Sequence, residues 1–191
     1  MAGPVAISVI VCTYNRCEKL ARSLDAIAAA AVESKASVEL IVVDNNSRDA
    51  TAAVVEAFAS TAPVPVRRVA ETAQGLSYAR NRGIREATGD IVAFTDDDCI
   101  ADPGWLAAIA AEYAATPEVM IVGGRIDLHT PEDRPVTIRP IGTRVRYDSP
   151  DRIYDHIIGC NRTLRRRLVE RIGWFDPALR DRKGVTADDI D

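Results

Sequence analysis

No two cysteines in this sequence are spaced as C-x-x-C, and four cysteines in 191 residues are too few for a small secreted disulfide scaffold. That excludes the common zinc modules and leaves Cys12, Cys17, Cys99 and Cys160 as reduced thiols of a cytoplasmic protein. No basic N-terminal segment precedes an apolar signal core, and the alanine-rich run at 26–32 is far short of the roughly 20 apolar residues of a membrane span. Positive charge is not in excess: the formal net charge of −4 argues against a broadly basic nucleic-acid surface, while the Arg-rich stretch Arg162 to Arg171 leaves a local anionic partner open. Glycine is missing where many nucleotide enzymes need it. The first apolar run is followed by Cys12-Thr13-Tyr14-Asn15-Arg16, which is neither a Gly-rich phosphate loop nor G-x-G-x-x-G. A sugar nucleotidyltransferase and a dinucleotide-dependent dehydrogenase are thereby disfavoured. The two histidines, His129 and His156, share no ligand spacing and read as loop or surface residues.

What is present, 47% hydrophobic and 27% charged residues, belongs to a globular domain too apolar to be disordered. A chain of this length fits one domain with a sizeable core. Val5 to Cys12, Val38 to Val43, Val64 to Val69 and Ile91 to Thr95 are short β-branched runs of the kind that buried parallel strands require. Glu18 to Ala31, Asp49 to Ser60 and Gly75 to Ala87 lie between them and read as helices. Strand and helix therefore alternate as in βαβ units, which predicts an α/β fold: a doubly wound, mainly parallel sheet flanked by helices. Pro103 opens a further helix through about Ala115, and Val119 to Val122 is the next strand. Arg125 to Pro150 reads as a long loop with short strands, followed by a helix over Thr163 to Ile172. Thr186 to Asp191 stop without a turn or cap, so the chain reads as cut, or its ordered part as ending early.

Ligands of open α/β sheets bind at the carboxyl ends of the strands. Three polar clusters fall there: Cys12 to Arg16, Asp44-Asn45-Asn46-Ser47 and Asp96-Asp97-Asp98. The second reads equally well as turn chemistry, with Ser47 as a helix N-cap. The third does not, because capping needs one carboxylate rather than three. A divalent cation makes the adjacency tolerable, since Mg²⁺ and Mn²⁺ take oxygen ligands. Strand alternation would put Asp96 and Asp98 around that ion and send Asp97 the other way, toward a cap or a ribose hydroxyl. Trp105, Trp174 and Phe175 read as packing residues, with an acceptor-sugar platform as a second reading of Trp174.

The strings ISVIVCTYNRCEKL, VELIVVDNNSRDAT, GLSYARNRGIREATGDIVAFTDDDC and, later, GCN and GWFDPAL follow one another in the order and spacing of family 2 of the inverting glycosyltransferases. The sequence resembles that family across nearly its full length. The resemblance implies a GT-A fold whose Rossmann-like nucleotide-sugar-binding half is 1–124, with the start of a truncated acceptor-binding half over 125–191. It also implies a nucleoside-diphosphate sugar donor, a divalent metal (Mn²⁺ or Mg²⁺) and hexosyl transfer with inversion to a hydroxyl of a saccharide or lipid-linked acceptor. Polysaccharide or glycolipid synthesis is the setting it suggests. Thr13, Asn15 and Arg16 match the loop that lines the nucleotide pocket, and Asp44 the strand-end Asp that reads the base, with Asn46 in the same segment. A carboxylate accepts the imide N–H of uracil well, which favours a UDP-sugar.

Arg80 and Asn81 match the family's ARN segment beside the donor, where a guanidinium can pair with phosphate. Asp96 and Asp98 match the D-x-D pair, with Asp98 the direct metal contact and Asp97 facing the donor. Asp188-Asp189 stand where the family usually has Glu-Asp, behind Ala187 in place of the commoner Gly. Asp189 is the implied general base and Asp188 its alternative, although both carboxylates read equally as a solvated helix start. Arg165-Arg166-Arg167 reads first as a solvated helix face and second as a peripheral contact with an anionic membrane surface, at the inner face of the membrane. A phosphoryl-transfer enzyme of the haloacid dehalogenase type also uses D-x-D, but after its first strand, whereas here the motif follows the fourth. A non-catalytic nucleotide-sugar-binding domain, or an inactive truncated member of the family, stays open as the rival reading.

Overall fold

The computed structural model describes residues 5–132, 138–140, 142–147 and 157–178. Its centre is a six-stranded sheet in the order β3-β2-β1-β4-β6-β5. The strands are β1 (Ala6–Thr13), β2 (Ser37–Asp44), β3 (Val66–Ala70), β4 (Ile91–Asp96), β5 (Ile121–Gly123) and β6 (Arg162–Arg165), joined through the helices α1 (Cys17–Ser34), α2 (Thr51–Ala59), α3 (Leu76–Glu86) and α4 (Trp105–Ala115), with α5 (Arg167–Ile172) after β6. The first four strands are mutually parallel, and β6 runs antiparallel to both β4 and β5. The fold is thus the α/β, GT-A-type arrangement expected from the sequence. Among the described residues no helix is long and apolar enough to cross a membrane.

β1 and β4 carry apolar side chains to both faces, because helices cover both. Ile7, Val9 and Val11 pack with Leu20, Leu24 and Ile27 of α1 and with Leu106 and Ile109 of α4. On the opposite face Ile10, Val92 and Phe94 pack with Ala79 and Ile84 of α3 and with Leu168 and Val169 of α5. Gly83 lets α3 approach closely: a Cβ there would stand 2.5 Å from Cγ2 of Ile10. Connectivity reverses at β1, which pairs with β2 on one side and β4 on the other. Thr13 lies level with Asp44, and Cys12 with Asp96, so three strands end in one crevice, the place where such sheets bind ligands.

The helix expected over Thr163 to Ile172 divides into β6 and α5. Four residues, R-T-L-R, alternate across the sheet: Leu164 enters the core while Thr163 meets the Tyr113 hydroxyl at 3.0 Å on the other face. Pairing with β4 and β5 overrides local helix preference there. Of the arginine run only Arg167 lies exposed on a helix, and the other two are bonded to the main chain. Arg165 donates to the carbonyls of Val119 and Tyr113 at 2.9 and 3.1 Å, and Arg166 to that of Gly89 at 3.0 Å. In the long connection after β5, Ile126 and Arg139 form an isolated antiparallel bridge. His129 is exposed there and lies 3.2 Å from Arg22.

Candidate functional site

Two left-handed asparagines shape the loops at the strand ends: Asn15 after β1 (φ 53°) and Asn46 after β2 (φ 70°). Asparagine tolerates that conformation better than most residues because its short amide bonds locally. The two loops are zipped together, with Asn15 N–H donating to Ser47 Oγ at 3.0 Å and Arg48 N–H to Asn15 Oδ1 at 2.7 Å. Ser47 is therefore a loop bridge rather than the N-cap expected of it. The start of α2 is instead held by Asp49, whose Oδ1 accepts from Thr51 N–H at 3.0 Å and whose Oδ2 accepts from Cys17 N–H at 3.0 Å.

Asn45 is buried and ties the β2 loop to the approach to α3, donating to Glu71 and Ala73 carbonyls at 2.9 and 2.7 Å and accepting from Gly75 N–H at 2.8 Å. Asn46 donates to the Thr72 carbonyl at 2.7 Å in the same seam. Asp44 is also buried. Its Oδ1 accepts from Ser47 N–H at 2.9 Å and its Oδ2 from Arg68 at 3.2 Å, so the carboxylate is fixed at the floor of the crevice. Arg68, which nothing in the sequence pattern marked, reaches Asp44 from β3.

The three consecutive aspartates diverge. β4 ends at Asp96, and a turn closed by Cys99 N–H on the Asp96 carbonyl (3.2 Å) follows, so strand alternation does not carry through the motif. Asp97 is buried at 5% exposure and accepts from the Thr13 hydroxyl at 2.7 Å, a hydrogen bond that joins β1 to the turn. Arg16 reaches Asp97 at 3.4 Å and Asp98 at 3.2 Å, and Lys19 stands 3.5 Å from Asp98. Asp97 and Asp98 thus share a cation, whereas the expectation placed them on opposite sides. Asp98 is the exposed member.

Asp96 has other neighbours, although the charges of Asp98 and Asp97 still reach it. Its carboxylate shares a region within 4.8 Å with the sulfurs of Cys99 and Cys160, and this is a group of three metal-competent side chains. Burial pushes its carboxyl above the usual range, with the charges of Asp98 and Asp97 adding to that and those of Arg80 and Arg16 opposing it. Burial also raises Asp97, against the hydrogen bond from Thr13 and the charge of Arg16. The neighbouring thiols perturb each other, Cys160 lowering the pKa of Cys99 and Cys99 raising that of Cys160.

Arg80 and Asn81 face the later segment of the chain. The Arg80 guanidinium lies over the Phe175 ring, 5.6 Å from its centroid, and closely against Gly159, where a Cβ would meet it at 2.7 Å. Asn81 grips the main chain of Phe175 with both ends of its amide, donating to the carbonyl at 2.7 Å and accepting from the N–H at 3.0 Å. Phe175 packs edge-on to Phe94, so the reading of it as a packing residue holds. Asn161 accepts from the Trp105 indole at 2.9 Å and donates to the Arg125 carbonyl at 2.9 Å. Trp174 is half-exposed under the Arg85 guanidinium. Asp188, Asp189 and His156 lie outside the described residues.

Acidic and basic groups are thus gathered where β1, β2 and β4 end, the place where open α/β sheets bind ligands. The sequence profile described as Glycosyl transferase family 2 matches residues 8–173, and the chain belongs to that family. It is 31% identical over 122 residues to the glucosyl-dolichyl phosphate glucuronosyltransferase of Haloferax volcanii, covering 63% of this chain and 38% of that protein. It is 36% identical over 126 residues to glycosyltransferase AglE of the same organism, covering 65% of this chain and 40% of that one. Among solved structures, the mannosyltransferase PcManGT of Pyrobaculum calidifontis, in complex with GDP-Man and Mn²⁺, superposes with a TM-score of 0.66 at 27% identity, over 92% of this chain and 50% of that one. TarS of S. aureus shares the fold, with a TM-score of 0.69 at 22% identity over 87% of this chain and 49% of that one. The chain therefore spans between 38% and 50% of the length of these relatives.

Proposed function

We propose that this chain carries the donor-binding half of a glycosyltransferase that moves a sugar from a nucleoside diphosphate to a hydroxyl acceptor with inversion. The observation that carries the reading is the convergence, in a chain of this family, of Thr13, Asp97, Asp98, Arg16 and Asp44 on the crevice where the sheet reverses. In this reading residues 1–124 hold the donor and 125–191 begin the acceptor side. Asp44 accepts from the base, and Arg16 and Lys19 offer positive charge to the diphosphate.

A hard divalent cation fits the donor set, because Asp98 presents an exposed carboxylate that already draws two cationic side chains. Asp98, with Asp96 as the second ligand, would hold it, and it would supply Lewis acidity to the charge that develops on the departing phosphate oxygen. The PcManGT complex with Mn²⁺ supports this assignment, and its GDP-Man makes a guanosine donor a competitor of the UDP-sugar favoured by the sequence.

The reaction is a single displacement. The acceptor oxygen bonds to the anomeric carbon as the bond from that carbon to the phosphate oxygen breaks, and the hydroxyl proton passes to Asp189, or to Asp188 in its place. A positioned base of this kind contributes about 10²- to 10⁴-fold. Inversion follows when base and leaving group sit on opposite faces of the sugar. Asp189→Asn is expected to abolish transfer in the protein while nucleotide binding stays near wild type, as measured by product formation and calorimetry on the same preparation. Full transfer by both the Asp188→Asn and Asp189→Asn variants would remove the base assignment. Nucleotide binding without transfer by the wild type would favour a non-catalytic binding domain.

A further inference from the structure

Two thiols that the transfer chemistry does not use are brought together by the sheet. The register of β4 against β6 pairs Phe94 with Arg162. Cys160, two residues before Arg162, therefore comes level with Asp96, two residues after Phe94. The turn closed on the Asp96 carbonyl folds Cys99 back over the same place. As a result the two sulfurs and an Asp96 oxygen all lie within 4.8 Å of one another, although the two cysteines are far apart in sequence. Cys160 is buried at 7% exposure, and Cys99 is half-buried.

Two ligand chemistries fit a pair of thiols beside a carboxylate: a soft metal ion, or covalent joining of the sulfurs. Competition for Asp96 decides between them. A soft ion on the two sulfurs would also take the Asp96 carboxylate, which the proposed donor site gives to a hard cation, whereas a disulfide uses no carboxylate. The sulfurs lie within 4.8 Å of each other, and rotation about the Cα–Cβ bonds is the motion that would bring them to bonding distance.

We propose that Cys99 and Cys160 form a dithiol modification site whose reagent is a peroxide, and that oxidation joins them in a disulfide. The Cys99 sulfur attacks one peroxide oxygen and the O–O bond breaks, giving a sulfenic acid and releasing water once the thiol proton is transferred. The Cys160 sulfur then attacks the Cys99 sulfur, the S–O bond breaks, and a second water leaves with the Cys160 proton. Two thiols are oxidised by two electrons and one peroxide is reduced to two waters. The product ties the turn that carries Asp97 and Asp98 to the start of β6, and so places the acidic end of the crevice under the control of an oxidant.

The test is made on the chain as it stands. Reduced protein is treated with hydrogen peroxide, the remaining thiols are alkylated, and a non-reducing digest is mapped by mass spectrometry. The expected result is loss of two of the four thiols, a linked peptide pair containing Cys99 and Cys160, alkylated Cys12 and Cys17, and full recovery of thiols with dithiothreitol. Cys99→Ser and Cys160→Ser are each expected to lose the linked pair. The wild-type peptide map is decisive even if a variant fails to fold. Cys12 is the internal control, because β1 places it level with Asp96 on the other side. Persistence of four thiols, a link made through Cys12 or Cys17, or a Cys99 that proceeds to sulfinic acid unlinked would each overturn the proposal.

Discussion

Replacing Thr13 with valine removes one hydroxyl at nearly constant volume, and the structure says what that hydroxyl does. Its oxygen donates to Asp97 Oδ2 at 2.7 Å between two groups that are 3% and 5% exposed, so water does not substitute for it easily. A buried hydrogen bond to a charged group is worth about 1.5–3 kcal/mol. Asp97 keeps a longer contact to Arg16 at 3.4 Å, which places the expected loss for Thr13→Val at the lower end, about 2 kcal/mol. For a domain of this size that corresponds to a fall in Tm of about 4–8 °C. Urea denaturation at neutral pH measures the loss, and a cycle with Asp97→Asn isolates the pair, whose effects are expected to be non-additive by about 1 kcal/mol or more. A Thr13→Val loss below about 0.5 kcal/mol, or strict additivity in the cycle, would refute the view that this bond fastens the acidic turn to β1.

Glu39 gives a pH signature. Burial works against its charge, but the hydroxyls of Ser8 and Thr88, the Thr88 N–H and Arg67 outweigh it and hold the carboxyl down to about 2. Its folded pKa lies below the unfolded value of about 4.3, so its contribution is present above that pH and is lost as pH falls through the folded value. Wild type is expected to exceed Glu39→Gln by about 1 kcal/mol at pH 7, after allowance for solvent screening, with the gap closing toward pH 2; a gap that does not change with pH contradicts this. Gly83→Ala sets two effects against each other in α3. Helix propensity gains about 1 kcal/mol, but the new methyl meets Ile10, a β-branched side chain fixed in the central strand, at 2.5 Å. Overpacking of that kind costs about 1–3 kcal/mol, so thermal melts are expected to show net destabilisation, and a raised Tm would mean that the helix shifts freely.

Buried parallel strands announce themselves as β-branched runs, and β1, β2 and β4 fall within a residue or so of where Val5 to Cys12, Val38 to Val43 and Ile91 to Thr95 put them. α4 was marked by Pro103, although the helix itself opens at Trp105 after a turn. β6 was not legible, because R-T-L-R becomes a strand only when β4 and β5 supply its partners. The same limit governed the site. The residues of the crevice are short-range features, strand ends with polar sequels, and could be named from the sequence. Their pairing is set by a turn at Asp96 that breaks the period, so the common cation of Asp97 and Asp98 could not be read. Asn81 illustrates a different loss: its grip on Phe175 is a contact between residues distant in the chain, and the amide alone does not reveal whether it serves a ligand or the main chain.

Calorimetric titration of the purified chain asks whether the crevice holds a nucleoside diphosphate with a divalent ion at Asp98. UDP, GDP, dTDP and ADP are compared, each with Mn²⁺ and with EDTA, in wild type and in Asp98→Asn. One of these diphosphates is expected to bind in a way that needs Mn²⁺ and is lost or much weakened in the variant, with UDP ahead and GDP the nearest competitor. Affinity that is equal with Mn²⁺ and with EDTA, and equal in Asp98→Asn, or no binding of any of the four, would contradict it.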